Sequence, residues 1–277
     1  MKLAKLPTGE HVPALGMGTW NMGDLLSRRA EEIRCLQRGI DLGMNLIDTA
    51  EMYGDGAAEK LIGEAITGRR GNVFLVSKVY PHNATGKGTI AACERSLTRL
   101  GTDRIDLYLL HWRGNVPFAE TAGAFERLQR DGKIRHWGVS NLDLADMTEL
   151  HSTPGGNRVA TNQVLYNLTR RGIEWDLLPW CSEHQIPVMA YSPVEQARLL
   201  QGVLLKELAQ EIGKSPAQIA LAWVLSRNNV IAIPKASNLL HVEENHGALE
   251  CTLSPEIMAR LDGIFSPPRR AAPLEML

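Results

Sequence analysis

Residues 73–111 read VFLVSKVYPHNATGKGTIAACERSLTRLGTDRIDLYLLH. Two short apolar runs, Val73–Lys78 and Ile105–His111, flank a longer segment of helical periodicity, Lys87–Gly101. Ile105–Leu110 is apolar almost throughout, as a parallel strand buried on both faces should be. Gly101 follows the helical run, where a left-handed C-cap is expected. A strand, a helix and a second buried strand make one parallel βαβ unit.

The same alternation continues outward in both directions. Leu15–Gly18 and Asn45–Asp48 are strand candidates upstream; Arg135–Val139, Val159–Gln163, Pro187–Tyr191 and Val230–Pro234 follow downstream, making eight in all. Between and after them the pattern predicts helices near Ala30–Gly43, Ala57–Thr67, Phe118–Asp131, Asp143–Leu150, Trp175–His184, Pro216–Arg227 and Leu239–Leu249. Ile219, Leu221, Ala222 and Leu225 recur at helical spacing, Ser215-Pro216 supplies a cap and a first-turn proline, and Gly213 closes a preceding apolar run. Eight strand–helix units of roughly 35 residues each are the arithmetic of a (β/α)8 TIM barrel. An open doubly wound sheet is the alternative. Nothing in composition divides the chain, so residues 1–277 are expected to form one barrel domain. Lys2–Pro13, with its Thr8-Gly9 turn, predicts a small N-terminal hairpin closing the barrel bottom. The Pro- and Ala-rich tail Ser266–Leu277 is either mobile or folded over a site.

The chain has 277 residues, 44% of them hydrophobic, enough for a sizeable core. Its formal net charge of -1 offers no whole-chain attraction to nucleic acid or to an anionic membrane. Cys35, Cys93, Cys181 and Cys251 are widely spaced and form no CxxC or Cys/His metal pattern, so no metal site is expected. They read as reduced thiols. With no apolar run long enough for a signal peptide or a membrane span, a cytoplasmic monomer is the expectation.

The chemistry lies at the strand ends. Asn45-Leu-Ile-Asp48 ends in an acid, Val73-Phe-Leu-Val-Ser-Lys78 in a base and Ile105-Asp-Leu-Tyr-Leu-Leu-His111 in an imidazole. In a (β/α)8 barrel the C-terminal strand ends share one face, and active sites are built there. Tyr53 lies in the loop just after Asp48, so the four groups should converge on one rim. Taken singly, Asp48 and Lys78 read equally well as a structural ion pair and His111 as a satisfied polar residue; their position at the same end of successive strands favours a site. A neutral tyrosine is a weak proton donor, a nearby lysine cation lowers its pKa, and an acid beside the lysine keeps that cation charged. A histidine can orient a carbonyl. The group suits protonation of an oxygen as hydride arrives at carbon, and it contains neither an obvious nucleophile nor a metal-ligand cluster.

At Gly16-Met-Gly-Thr-Trp20, Leu46-Ile-Asp-Thr-Ala-Glu-Met-Tyr53-Gly, Val76-Ser-Lys78 and Leu110-His111-Trp112 the chain resembles the aldo-keto reductase family. Gly132-Lys-Ile-Arg-His-Trp-Gly-Val-Ser-Asn141, Thr161-Asn-Gln163, Ala190-Tyr-Ser-Pro193 and Ile233-Pro-Lys235 extend the match in order, from about Leu15 to Asn245. It is most similar to short-looped bacterial members that reduce methylglyoxal and diketogluconate. The resemblance implies a barrel and hydride transfer from NAD(P)H to an aldehyde or ketone. It makes Tyr53 the general acid, His111 the residue that orients the carbonyl, Lys78 the group that lowers the tyrosine pKa, and Asp48 the partner of Lys78.

No Rossmann fingerprint is present, because Gly16-Met-Gly18 continues as Thr19-Trp20-Asn21. The resemblance instead assigns the nicotinamide carboxamide to Ser140, Asn141 and Gln163, and stacking on its ring to Tyr191. Gly18, Thr19, Trp20, Asp48, Ser192 and Ile233 complete the expected contacts at that end. Lys235, Glu244 and Asn245 match positions that hold phosphates and adenine, and Ser237 lies at the start of the following helix, where free N–H groups favour anions. Two positions depart from the family: His241 stands where an arginine for the 2′-phosphate is usual, and Ala236 where a serine or threonine is. Arginine is always charged and binds phosphate with paired hydrogen bonds, whereas a histidine is only partly charged near neutrality. NADPH is therefore expected to be favoured through Lys235, NADH remaining possible, by a margin that narrows as pH rises.

Trp20 and Trp112 are expected to wall the substrate site beside Tyr53 and His111, and the short loops favour small polar carbonyls. Arg113 and Arg198 are expected to attract an anionic substrate. Two other readings compete: a nucleotide-sensing barrel of the same family without turnover, and a Schiff-base lyase working through Lys78. Against the second, Asp48 would hold the amine protonated and poorly nucleophilic.

Overall fold

The computed structural model describes residues 2–277. A hairpin of β1 (Leu3–Lys5) and β2 (His11–Pro13) precedes eight parallel strands: β3 (Met17–Gly18), β4 (Leu46–Asp48), β5 (Phe74–Val79), β6 (Ile105–Leu110), β7 (Ile134–Ser140), β8 (Asn162–Leu165), β9 (Val188–Tyr191) and β10 (Val230–Ala232). Each pairs with the next in chain order. Leu15 bridges Ala232 and Gly18 bridges Lys235, so β3 returns to β10 and the barrel closes. At this seam the Gly18 N–H donates to the Pro234 carbonyl at 3.0 Å. A Cβ on Gly18 would sit 2.8 Å from the Ile233 carbonyl oxygen, so only glycine lets the two backbones approach this closely.

Around the strands lie α1 (Arg29–Asp41), α2 (Ala57–Ala65), α3 (Gly86–Leu100), α4 (Phe118–Arg130), α5 (Leu144–Ser152), α6 (Leu177–Glu183), α7 (Val203–Glu211), α8 (Pro216–Ser226), α9 (Leu239–Gly247) and α10 (Pro255–Ile264). Strands β5 and β6 are buried along their whole length, as apolar runs covered by helices outside and by packed side chains inside must be. Helix α8 is apolar nearly all round and buries every residue from Ile219 to Leu225. Burial of each large side chain there contributes about 1.5–3 kcal/mol. Ser215 opens this helix with a reciprocal capping box to Gln218. Gly101 adopts the left-handed conformation (φ 62°) that ends α3.

All eight expected strands form, with shifted bounds. Strand β8 starts at Asn162 rather than Val159, because a short helical turn at Gly156–Arg158 takes up its approach, and it runs on to Leu165. Helix α10 was not foreseen, and of α7 only its end was: Gly213, expected to close an apolar run, adopts a left-handed φ of 64° just beyond it. Helix α10 fully buries only Leu261, with Ile257 and Met258 packed on the core beside it, and is tied to α7 by a two-pronged Arg260–Glu211 ion pair. The expected hairpin lies at the N-terminal ends of the strands: Glu10 accepts from Arg135 at the start of β7, and Lys5 exchanges two hydrogen bonds with Asn229 just before β10. Among the described residues the four cysteines are free thiols, and no helix is long and apolar enough to cross a membrane.

Candidate active site

Barrel register gathers the strand-end groups on the face opposite the hairpin. Asp48 closes β4 and pairs with Val76; Lys78 stands two residues farther along β5, and His111 directly follows β6. Lys78 is fully buried, and its ammonium donates to Asp48 Oδ2 at 2.8 Å, to the Thr49 carbonyl at 2.8 Å and to the Tyr53 hydroxyl at 3.2 Å. An ammonium has three N–H donors, so all are used. The other Asp48 oxygen, Oδ1, accepts from Gln163 Nε2 at 2.7 Å, and the Thr19 hydroxyl donates to the Asp48 carbonyl at 2.9 Å. The His111 ring lies 5.9 Å from the Tyr53 ring, edge to face, and its Nδ1 is buried without a hydrogen-bond partner.

Electrostatics follow from this packing. Burial works against the Lys78 charge, but the Asp48 carboxylate and the Tyr53 oxygen outweigh it and hold the ammonium above its ordinary range. The Tyr53 phenol is raised: burial pushes it up more than the Lys78 cation pulls it down, and Asp48 adds to the rise. Lys78 thus acts on the phenol in the expected direction, and burial, which the sequence does not announce, sets the net shift. Burial and the nearby Lys78 cation push His111 down to about 2, so its imidazole is neutral.

A cleft of about 560 Å³ opens over this group. Asp48, Tyr53 and His111 lie in its floor, with Lys78 behind them, and Trp20 and Trp112 stand at its edge. Ser140, Asn141, Gln163 and Tyr191 line the adjoining slot. There the Ser140 hydroxyl donates to the Gln163 carbonyl at 2.8 Å, Asn141 Nδ2 to the His111 carbonyl at 3.2 Å, and the Tyr191 hydroxyl to Asn141 Oδ1 at 3.1 Å. Gly18, Thr19, Ser192 and Ile233 also reach the cleft. Its far end carries Lys235, Ser237 and His241, where α9 begins: Asn238 caps the helix by accepting from the His241 N–H at 3.1 Å, and Lys235 Nζ donates to the Ser237 hydroxyl at 3.2 Å. An amide-rich slot with a flat aromatic side at one end, and a lysine, a serine and a histidine beside a helix N-terminus at the other, is a donor set for a flat carboxamide heterocycle joined to phosphates.

Some expected residues lie elsewhere. Glu244 and Asn245 sit farther along α9, outside the cleft, and Asn245 is buried. The expectation for Arg113 fails, because it pairs with Asp146 and Glu149 and covers the Phe118 ring, so its charge is already taken. Arg198 pairs with Glu195 and does not reach the cleft either. Conversely, Gln196 and Ala197 line the cleft and were not foreseen, while Met276 and Leu277 line it as expected of a tail lying near the active-site face. Gln196 and Ala197 adopt left-handed φ values of 53° and 68° without a glycine or asparagine to announce the turn. The tail thus folds over the site, with the Leu277 N–H donating to the Tyr191 hydroxyl at 3.4 Å. Among the described residues no group of three metal-ligating side chains comes together.

Comparison with known proteins agrees with this geometry. The model of the Aldo/keto reductase family matches residues 14–265. Methylglyoxal reductase YeaE of Escherichia coli K12 is 56% identical over 271 residues, covering 96% of this chain and 95% of that protein. A glyoxal reductase of Bacillus subtilis is 34% identical over 266 residues, covering 94% and 91%. A crystal structure of an aldo/keto reductase from Klebsiella pneumoniae in complex with NADP and acetate is 50% identical, covers 100% of this chain and 99% of its own, and superposes with a TM-score of 0.97.

Proposed function

The chain belongs to the aldo/keto reductase family, and on that premise we propose that it reduces small aldehydes, ketones and dicarbonyls to alcohols with a nicotinamide cofactor, NADPH ahead of NADH, and with Tyr53 as the proton donor. The observation that carries the proton-donor role is the Lys78 ammonium, fully buried with every donor spent, one of them on the Tyr53 oxygen.

The reduced cofactor supplies hydride to the carbonyl carbon. Each further task falls to the chain. Tyr53, raised above its ordinary pKa, is protonated across the neutral range and can deliver a proton to the oxygen that gains charge. As the proton leaves, the Lys78 cation at 3.2 Å stabilises the phenolate left behind, and Asp48 keeps that cation in place. Lys78 is thereby held protonated, which stands against Schiff-base chemistry there. His111 is neutral and offers its one ring N–H to the carbonyl oxygen without placing a second cation beside Lys78. Ser140, Asn141 and Gln163 offer amide and hydroxyl groups to the carboxamide, Tyr191 gives the ring a flat surface, and Lys235, Ser237 and the first N–H groups of α9 receive the phosphates. Dicarbonyls as substrates are supported by the names of the E. coli and B. subtilis relatives.

The test is NADPH oxidation with methylglyoxal, glyoxal and a panel of small keto compounds, beside NADPH binding followed by fluorescence. Turnover of the small carbonyls is expected. Tight binding without turnover of any of them would replace this reading with a nucleotide sensor.

A further inference from the structure

Two walls of the cleft are built from segments outside the barrel ladder. One is the turn after β9, where Ser192, Glu195, Gln196 and Ala197 have φ values of 47°, 50°, 53° and 68°. Left-handed non-glycine residues persist only where their surroundings hold them. The other is the end of the tail, Met276 and Leu277. Arg170 touches the anchors of both. Its Nε and Nη2 donate to Glu195 Oε1 at 3.1 and 3.0 Å, and its Nη1 donates to Glu275 Oε1 at 2.5 Å.

The arrangement is built rather than incidental. Glu195 is only 4% exposed, and its second oxygen accepts from Asn167 Nδ2 at 2.7 Å. Asn167, itself fully buried, also donates to the Ser192 carbonyl at 3.0 Å and accepts from the Arg170 N–H at 3.0 Å. One buried amide therefore sets the start of the turn, the carboxylate in its middle and the backbone of the arginine. The planar guanidinium then spends one edge on the turn and its remaining nitrogen on the tail, a division that a single ammonium cannot make.

We propose that Arg170 is a positioning residue that couples the 192–198 turn to the C-terminal tail, so that the two walls loosen and close as one, setting nucleotide release and carbonyl access together. The consequence for nucleotide and carbonyl rests on the proposed reductase reading; the coupling itself does not. With the walls joined, a bound nucleotide leaves only when the tail also yields. Cutting the tail's tie then loosens a turn about 80 residues away in sequence.

Glu275→Gln is the direct test, because it removes the partially exposed end of the bridge and leaves Glu195 paired. Amide hydrogen exchange of residues 193–201 in the nucleotide-free protein is expected to speed up about threefold, the scale of one exposed ion pair. The NADPH release rate and the KM for methylglyoxal are expected to rise by about the same factor, with kcat held or raised. Arg170→Lys keeps the charge but not the fork, and is expected to quicken exchange at least as much as Glu275→Gln, because one ammonium cannot hold both ties. A variant in which exchange quickens only within residues 270–277, or in which neither exchange nor release changes, overturns the coupling. The exchange measurement needs no nucleotide, so a wild-type protein that fails to bind NADPH would sink the cofactor reading alone.

Discussion

The ammonium of Lys78 donates to the hydroxyl of Tyr53 at 3.2 Å, and yet the phenol stays above its ordinary pKa because burial outweighs the cation. The pair is therefore poised to give a proton at neutral pH, with the cation already placed for the phenolate that follows. Tyr53→Phe removes the proton and leaves the cleft's shape. It is expected to lower kcat by at least about 100-fold, while fluorescence titration with NADPH is unchanged. Turnover within a few-fold of wild type would take the acid role from Tyr53.

Lys78 has a second, structural consequence. Lys78→Met leaves Asp48, 2% exposed, without the cation that neutralises it. Removing one member of a buried pair costs about 3–5 kcal/mol, so a large fall in thermal midpoint is expected along with the loss of activity. Adding Asp48→Asn removes the orphaned charge, and the double variant is expected to regain much of the midpoint while remaining inactive. Calorimetry and kcat measured on the same samples separate folding from chemistry.

Acid sensitivity follows from His111. Its folded pKa of about 2 lies below the reference value near 6.5, so between those limits the unfolded chain binds a proton that the native protein does not. The sign is fixed by that difference: this residue's contribution to stability falls as pH drops through about 6.5 and continues to fall toward 2. Replacing His111 with glutamine removes the slope, so the variant is expected to gain on the wild type by about 2 kcal/mol between pH 7.5 and pH 5. Urea unfolding at the two pH values measures it. The same neutrality predicts no acid limb from His111 in kcat/KM between pH 5 and 8, and the raised phenol predicts that reduction persists into the alkaline range.

Much of this was legible in the chain. Strands buried on both faces read as apolar runs such as Ile105–Leu110, and a residue ending such a run, Asp48, Lys78 or His111, is on the rim by topology alone. What stayed hidden depended on distant partners. Arg113 looks free in sequence because Asp146 and Glu149 lie more than thirty residues away, on α5. The direction of the Tyr53 shift depends on burial that no local motif encodes. The turn at Glu195–Ala197 is held left-handed by Asn167 and Arg170, not by its own residue types. The tail's Pro- and Ala-rich composition carries no sign of the Glu275–Arg170 tie that brings it to the cleft.

The phosphate end yields the last prediction. Lys235 and His241 both line the cleft where α9 begins, and Lys235 is the fixed cation there. Lys235→Met is expected to reduce the ratio of kcat/KM for NADPH over NADH, because a lost charge on a 2′-phosphate affects only the phosphorylated cofactor. His241→Arg works the other way. It puts a permanent, forked cation one turn into a helix whose N-terminus already favours anions, and is expected to raise that ratio about tenfold, or about 1.4 kcal/mol. Steady-state kinetics with both cofactors on the same carbonyl measures both variants. If His241→Arg leaves the ratio unchanged, the 2′-phosphate does not meet this position, and discrimination between the cofactors rests on Lys235 and the backbone N–H groups of α9.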